Sequence, residues 1–85
     1  THYYLGMVYM SEKNWRSAQR ELETALSLGP DNADIYDKLG IAYAQEKMWE
    51  KAGEAFESAL RLNPSHPSAR INLERLEKKK TGNRQ

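Results

Sequence analysis

The chain has 85 residues, 39% of them hydrophobic and 29% charged, with a net charge of +1 and no cysteine. That length allows one small domain, the composition is too apolar for a disordered polymer, and the missing thiols exclude a disulfide framework, a thiolate metal site and a cysteine nucleophile. No apolar run approaches the roughly 18 residues of a membrane span, and no basic-then-apolar leader opens the chain, so a soluble domain is expected. A cysteine-free chain suits reducing and oxidising compartments alike, with the cytoplasm favoured.

The charge is unevenly spread. Residues 1–30 sum to zero, residues 31–63 carry seven acids and four bases, and residues 64–85 carry six bases and two acids. A small net charge argues against strong whole-molecule attraction to nucleic acid or to an anionic membrane. The basic end, with Arg70, Arg75, Lys78, Lys79, Lys80 and Arg84, reads as a solubilising tail that suits a helix dipole, and nucleic-acid binding is not expected.

In chain order, the first predicted helix runs through Tyr3 to Met10 and is apolar on every side, with Leu5 and Tyr9 at helical spacing. A helix apolar all round expects cover all round. A break at Glu12 to Asn14 leads into a second helix whose stripe is Trp15, Ala18, Leu22, Ala25 and Leu26. Gly29 is expected to close it in the left-handed conformation, with Pro30 preventing continuation and Asn32 capping the next helix. The third helix carries Tyr36, Leu39 and Tyr43, and after a break at Glu46 to Met48 the fourth carries Trp49, Ala52, Phe56, Ala59 and Leu60. Asn63 and Pro64 end it, and Ser65 is a candidate cap for the fifth. After Pro67 this last helix places Ala69, Leu73 and Leu76 on one side before a polar end at Lys78 to Gly82.

The third and fourth helices restate the first and second. A shift of 34 residues pairs Leu5 with Leu39, Gly6 with Gly40, Tyr9 with Tyr43, Trp15 with Trp49, Ala18 with Ala52 and Pro30 with Pro64, among twelve identities. Usual residue frequencies would give roughly two or three. Gly6 and Gly40 each cost about 1 kcal/mol against alanine inside a helix, which asks for a packing reason. The expected reason is close approach of paired helices, with Ala18, Ala25, Ala52 and Ala59 as the facing flat surface.

These residues resemble the tetratricopeptide repeat family, whose 34-residue pattern sets a large residue, leucine and glycine, tyrosine, alanine, an aromatic, alanine and proline in order. Tyr36, Leu39, Gly40, Tyr43, Ala52, Phe56, Ala59 and Pro64 meet every place in the second unit. Leu5, Gly6, Tyr9, Ala18, Ala25 and Pro30 meet it in the first, which departs at His2 and Leu22. After Pro67 the pattern holds only at Leu73, as in the polar-faced helix that closes such arrays. Lys13 and Lys47 stand in the turns where the family often has glycine, and Met48 stands where a capping residue would suit, so the second turn is expected to be less well capped than the first.

The resemblance implies an all-α fold of antiparallel helix pairs stacked as a right-handed α-solenoid with five helices. The expected units are residues 1–32, lacking the first residues of a repeat, residues 33–66, a closing helix over 67–80 and a disordered tail over 81–85. It further implies a protein-interaction scaffold, without catalysis or cofactor, whose concave groove takes a partner peptide or helix. By place in the repeat the groove is lined by Tyr3, Met7 and Met10, by Asp34, Asp37, Lys38 and Ile41, and by Asn72 and Arg75. A methionine stripe at helical spacing also suits a core.

The members that grip a terminal carboxylate use lysines, asparagines and an arginine where this chain has Tyr3, Met7, Lys38, Ser68 and Asn72, so no such clamp is expected. His2 and His66 read as surface residues without a metal set, and Asp34, Asp37 and Lys38 as a solvated charged face rather than a catalytic pair. The alternative function is a structural segment of a longer repeat array that self-associates through the uncovered first helix. Because the pattern opens partway into a unit, either a preceding repeat or another molecule is expected to cover that helix.

Overall fold

The computed structural model describes residues 2–29 and 32–82. Its described residues form five helices: α1 His2–Ser11, α2 Trp15–Leu28, α3 Ala33–Gln45, α4 Trp49–Leu62 and α5 Pro67–Gly82. Each packs on the next along the chain, while α3 also touches both α1 and α5. The helices therefore form two layers, α1, α3 and α5 in one and α2 and α4 in the other. The Cα trace extends 41 × 28 × 17 Å, and its shortest dimension suits two layers with axes about 8–10 Å apart. The closing helix runs two residues past its expected end, and the rest of the expected tail, residues 83–85, lies outside the described residues.

The two turns inside the helix pairs are built alike. Lys13 and Lys47 adopt the left-handed conformation, with φ of 62° and 61°. Asn14 N–H donates to Tyr9 O at 2.8 Å and Lys13 N–H to Met10 O at 3.0 Å, while Met48 N–H donates to Tyr43 O at 2.9 Å and Lys47 N–H to Ala44 O at 3.0 Å. This is the six-to-one and five-to-two pairing that satisfies the last carbonyls of a helix. Neither Asn14 nor Met48 makes a side-chain cap bond, so the expected difference in capping between the turns is not found. Asparagine at position 14 leaves its side chain unused as a cap.

Three further local expectations divide. Asn32 caps α3, its Oδ1 accepting from Asp34 N–H at 2.8 Å. Gly29 is not left-handed: at φ −142° and ψ −177° it is extended, so α2 ends by straightening out of the helix. Ser65 does not cap α5. Its N–H and Oγ both turn back to Asn63 Oδ1, at 3.3 and 3.1 Å, and His66 caps α5 instead, its Nδ1 accepting from Ala69 N–H at 3.1 Å. Pro67 then occupies the first helical place, where its missing N–H costs nothing.

The core runs between the layers and is centred on Leu22, Leu39, Tyr43, Ala52 and Phe56, with Leu76 from the expected apolar side of α5 and with Ile35 and Ala55 added to the expected set. Gly6 and Gly40 mark close approaches, but the facing surfaces are large rather than small. A Cβ on Gly40 would lie 2.5 Å from Phe56 Cε1, and one on Gly6 would lie 2.8 Å from Leu22 Cδ2. Each glycine thus makes room for the largest buried side chain of its partner helix, while Ala18, Ala52 and Ala59 are themselves fully covered.

Candidate functional site

The nine residues expected to line a groove come from α1, α3 and α5, which form one layer, but the structure gives them different roles. Tyr3, Met10 and Ile41 are half-buried and pack with one side against the core. Burial first, then the carboxylates of Asp34 and Asp37, raise the Tyr3 phenol above its ordinary range. The start of α1 therefore shares the electrostatic surroundings of the start of α3. Met7 and Lys38 are half-buried.

Asp34 and Asp37 do not form a solvated charged face. Asp37 is 1% exposed, and Asn72 Nδ2 donates to its Oδ1 at 2.9 Å. A buried carboxylate needs such a donor, since leaving it unpaired would be costly. Asp34 stays exposed but meets His66 Nε2 at 2.6 Å. His66 is 9% exposed, not a surface residue. Since Nδ1 accepts the Ala69 N–H, Nε2 is the protonated nitrogen and donates to Asp34. With both ring nitrogens committed, no lone pair remains for proton transfer or metal binding. The two aspartates are thus the ties by which α3 holds α5 across a separation of more than 30 residues.

Between α3 and α5 the structure opens a hollow of about 300 Å³ in which three expected residues, Ile41, Asn72 and Arg75, converge. Phe56 and Leu76 form its floor beside Ile41 and Ala44, and Gln45 and Lys79 stand at its edge. Reasoning by repeat place missed Ala44, Gln45 and Lys79. The signal that finds them is helical spacing: 41, 44 and 45 share one face of α3, and 72, 75, 76 and 79 share one face of α5. Tyr3 instead borders a second hollow, of about 410 Å³, with His2, Ala25, Leu28 and Ile35 at the other end of the layer.

Polar side chains also tie the two layers to each other. Tyr43 donates its hydroxyl to Glu23, and burial followed by that bond raises the phenol well above its ordinary range. Lys51 Nζ lies 5.8 Å from the centre of the Tyr43 ring. His2 Nδ1 meets Glu21 Oε1 at 2.8 Å and ties α1 to α2. Among the described residues there is no group of three His, Cys, Asp or Glu placed to hold a metal, and no helix is long and apolar enough to cross a membrane.

An all-helical stack of two paired units and a closing helix, with a layered inner face, defines a helical repeat protein of the α-solenoid class. The family model described as tetratricopeptide repeat matches residues 3–67. The chain belongs to the tetratricopeptide repeat family, with two repeats and a capping helix. Repeats of this kind generally mediate protein–protein interactions and form a non-catalytic scaffold family. No curated protein matches the chain.

Proposed function

We propose that this chain is a protein-interaction scaffold, not an enzyme, and that a partner peptide or helix lies along the inner layer of α1, α3 and α5. The observation that supports this reading most directly is the convergence of Ile41, Asn72 and Arg75 on one apolar-floored hollow. Binding sites are concave, mostly apolar and carry few polar groups. Tyrosine and methionine at Tyr3, Met7 and Met10 add area that repacks readily around different side chains. The test is amide chemical-shift mapping of the isotope-labelled chain with a peptide selected from a random display library. Shifts along α1, α3 and α5 are expected; shifts confined to the outward sides of α2 and α4 would sink the reading.

A second reading rests on α1. Its Tyr4, Leu5 and Val8 are 74%, 42% and 50% exposed, an apolar surface that suits another copy of the chain or a neighbouring repeat. Sedimentation equilibrium across a wide concentration range tests it. Self-association that Val8→Glu abolishes supports the second reading, and a single monomeric mass throughout removes it.

A further inference from the structure

The hollow between α3 and α5 also carries a charge pattern that narrows the partner, on the premise that the inner layer is where a partner binds. Its lining includes two bases, Arg75 and Lys79, two amides, Asn72 and Gln45, and no acid. The bases are four residues apart, so they stand as neighbours on one helix face, where like charges oppose each other. Both are exposed, and among the described residues neither is in an ion pair.

The nearest acids are engaged or turned aside. Asp37 is buried beneath Asn72, Glu46 pairs with Arg16 at 3.9 Å, and Glu74 and Glu77 fall outside the 72, 75, 76, 79 face. A helix dipole accounts for Lys79, near the end of α5, but not for Arg75, which sits a further turn inside. Beneath the bases lies an apolar floor with room for a large side chain, since a dry cavity of about 150 Å³ already admits benzene.

We infer that this hollow takes an internal acidic segment of a partner protein, one large apolar side chain seated over Ile41 and Phe56 and flanking carboxylates held by Arg75 and Lys79. Paired bases at the rim give orientation and on-rate, and the apolar anchor gives residence time. A nucleic acid would use the two bases and leave the floor empty, which is why a peptide fits better. Both bases stand on α5 along one side of the floor, so a segment that runs through the hollow can meet them without ending there.

The test begins with dodecapeptides selected on the full chain from an unbiased display library, the strongest synthesised with acetylated and amidated ends. Acidic residues within a few places of a leucine, isoleucine or aromatic are expected, with affinity that falls at raised salt. Arg75→Glu should weaken binding at least tenfold, whereas Lys78→Glu, an equal change of net charge at an exposed place off the hollow, should leave it within about twofold. Circular dichroism and the urea midpoint establish that both variants are folded.

Peptides that shift the inner layer but carry no acidic bias, or that ignore Arg75→Glu, overturn the acidic-segment inference and leave the scaffold reading standing. Peptides that shift only α2 and α4, or no enrichment over the starting library, count against both. Equal losses in Arg75→Glu and Lys78→Glu reduce the effect to general charge and overturn the site. Self-association abolished by Arg75→Glu would make the occupant a second copy, and duplex DNA bound in a manner that Arg75→Glu abolishes would give the bases to phosphate; either result overturns the inference.

Discussion

Helices α1 and α3 share a sequence signature and little of its consequence. Leu5 and Leu39 occupy the same place in the 34-residue unit, yet Leu5 is 42% exposed and Leu39 5%. In α1 only Gly6 is buried, whereas α3 buries Ile35, Asp37, Leu39, Gly40, Ala42 and Tyr43. The cause is position in the stack. α3 has contacts with all four other helices, while α1 packs on α2 and touches α3. A repeat signature therefore specifies which residues can be buried, and neighbouring helices decide how far they are. Stability in such a stack is the sum of weak units and the interfaces between them.

The comparison can be broken most forcefully at the paired leucines. Leu39→Ala should cost about 2–5 kcal/mol, as for other buried leucines, and Leu5→Ala no more than about 1 kcal/mol, as at other largely exposed places. Urea unfolding of the two variants checks this, and equal losses would mean that α1 is covered far better than its exposure indicates.

The paired glycines should differ in the same direction by less. A methyl on Gly40 presses against the Phe56 ring, which is 1% exposed, so overpacking of about 1–3 kcal/mol outweighs the helix propensity gained. At Gly6 the opposing Leu22 is just as buried, but α1 leaves Tyr4, Leu5 and Val8 exposed and can shift with less loss of packing. Gly40→Ala is therefore expected to lower the unfolding midpoint more than Gly6→Ala, and Gly40→Leu more than either. An unchanged midpoint in Gly40→Leu would remove close helix approach as the reason for the glycine.

Removing the ring of His66 should cost about 1–2 kcal/mol, the range for losing a helix cap and a buried hydrogen bond. The loss should appear first as faster amide exchange in the opening turn of α5, with α1 unaffected. Uniform acceleration throughout the molecule would show that α5 is not separately held.

Much of this architecture is legible in the amino-acid sequence. Twelve matched residues establish the period, and three-and-four spacing establishes the helices and both breaks. Pairing across distance is not legible there. Asp37 reads as a surface acid because charged residues on helices are seldom buried without partners, and its partner Asn72 lies 35 residues away. His66 stands beside Ser65, a better cap by residue type, and only the turn back to Asn63 takes the serine out of use. Of the lining of the hollow between α3 and α5, repeat place names Ile41, Asn72 and Arg75 but not Lys79, because the repeat pattern fades where α5 departs from it.

The smallest effect tests the opposite side of the comparison. Lys13 and Lys47 are left-handed, at φ of 62° and 61°, and both are exposed with no ion pair among the described residues. A left-handed conformation costs an L-residue about 1–2 kcal/mol, while glycine adds about 0.4–1 kcal/mol of unfolded-state entropy to be lost on folding. Lys13→Gly and Lys47→Gly should therefore each stabilise the chain, by about 0.5–1 kcal/mol. The two increments should match, because each turn closes on its own backbone carbonyls and owes nothing to the neighbouring repeat. Unequal increments in urea unfolding would show that stack position governs the turns as it governs the helices.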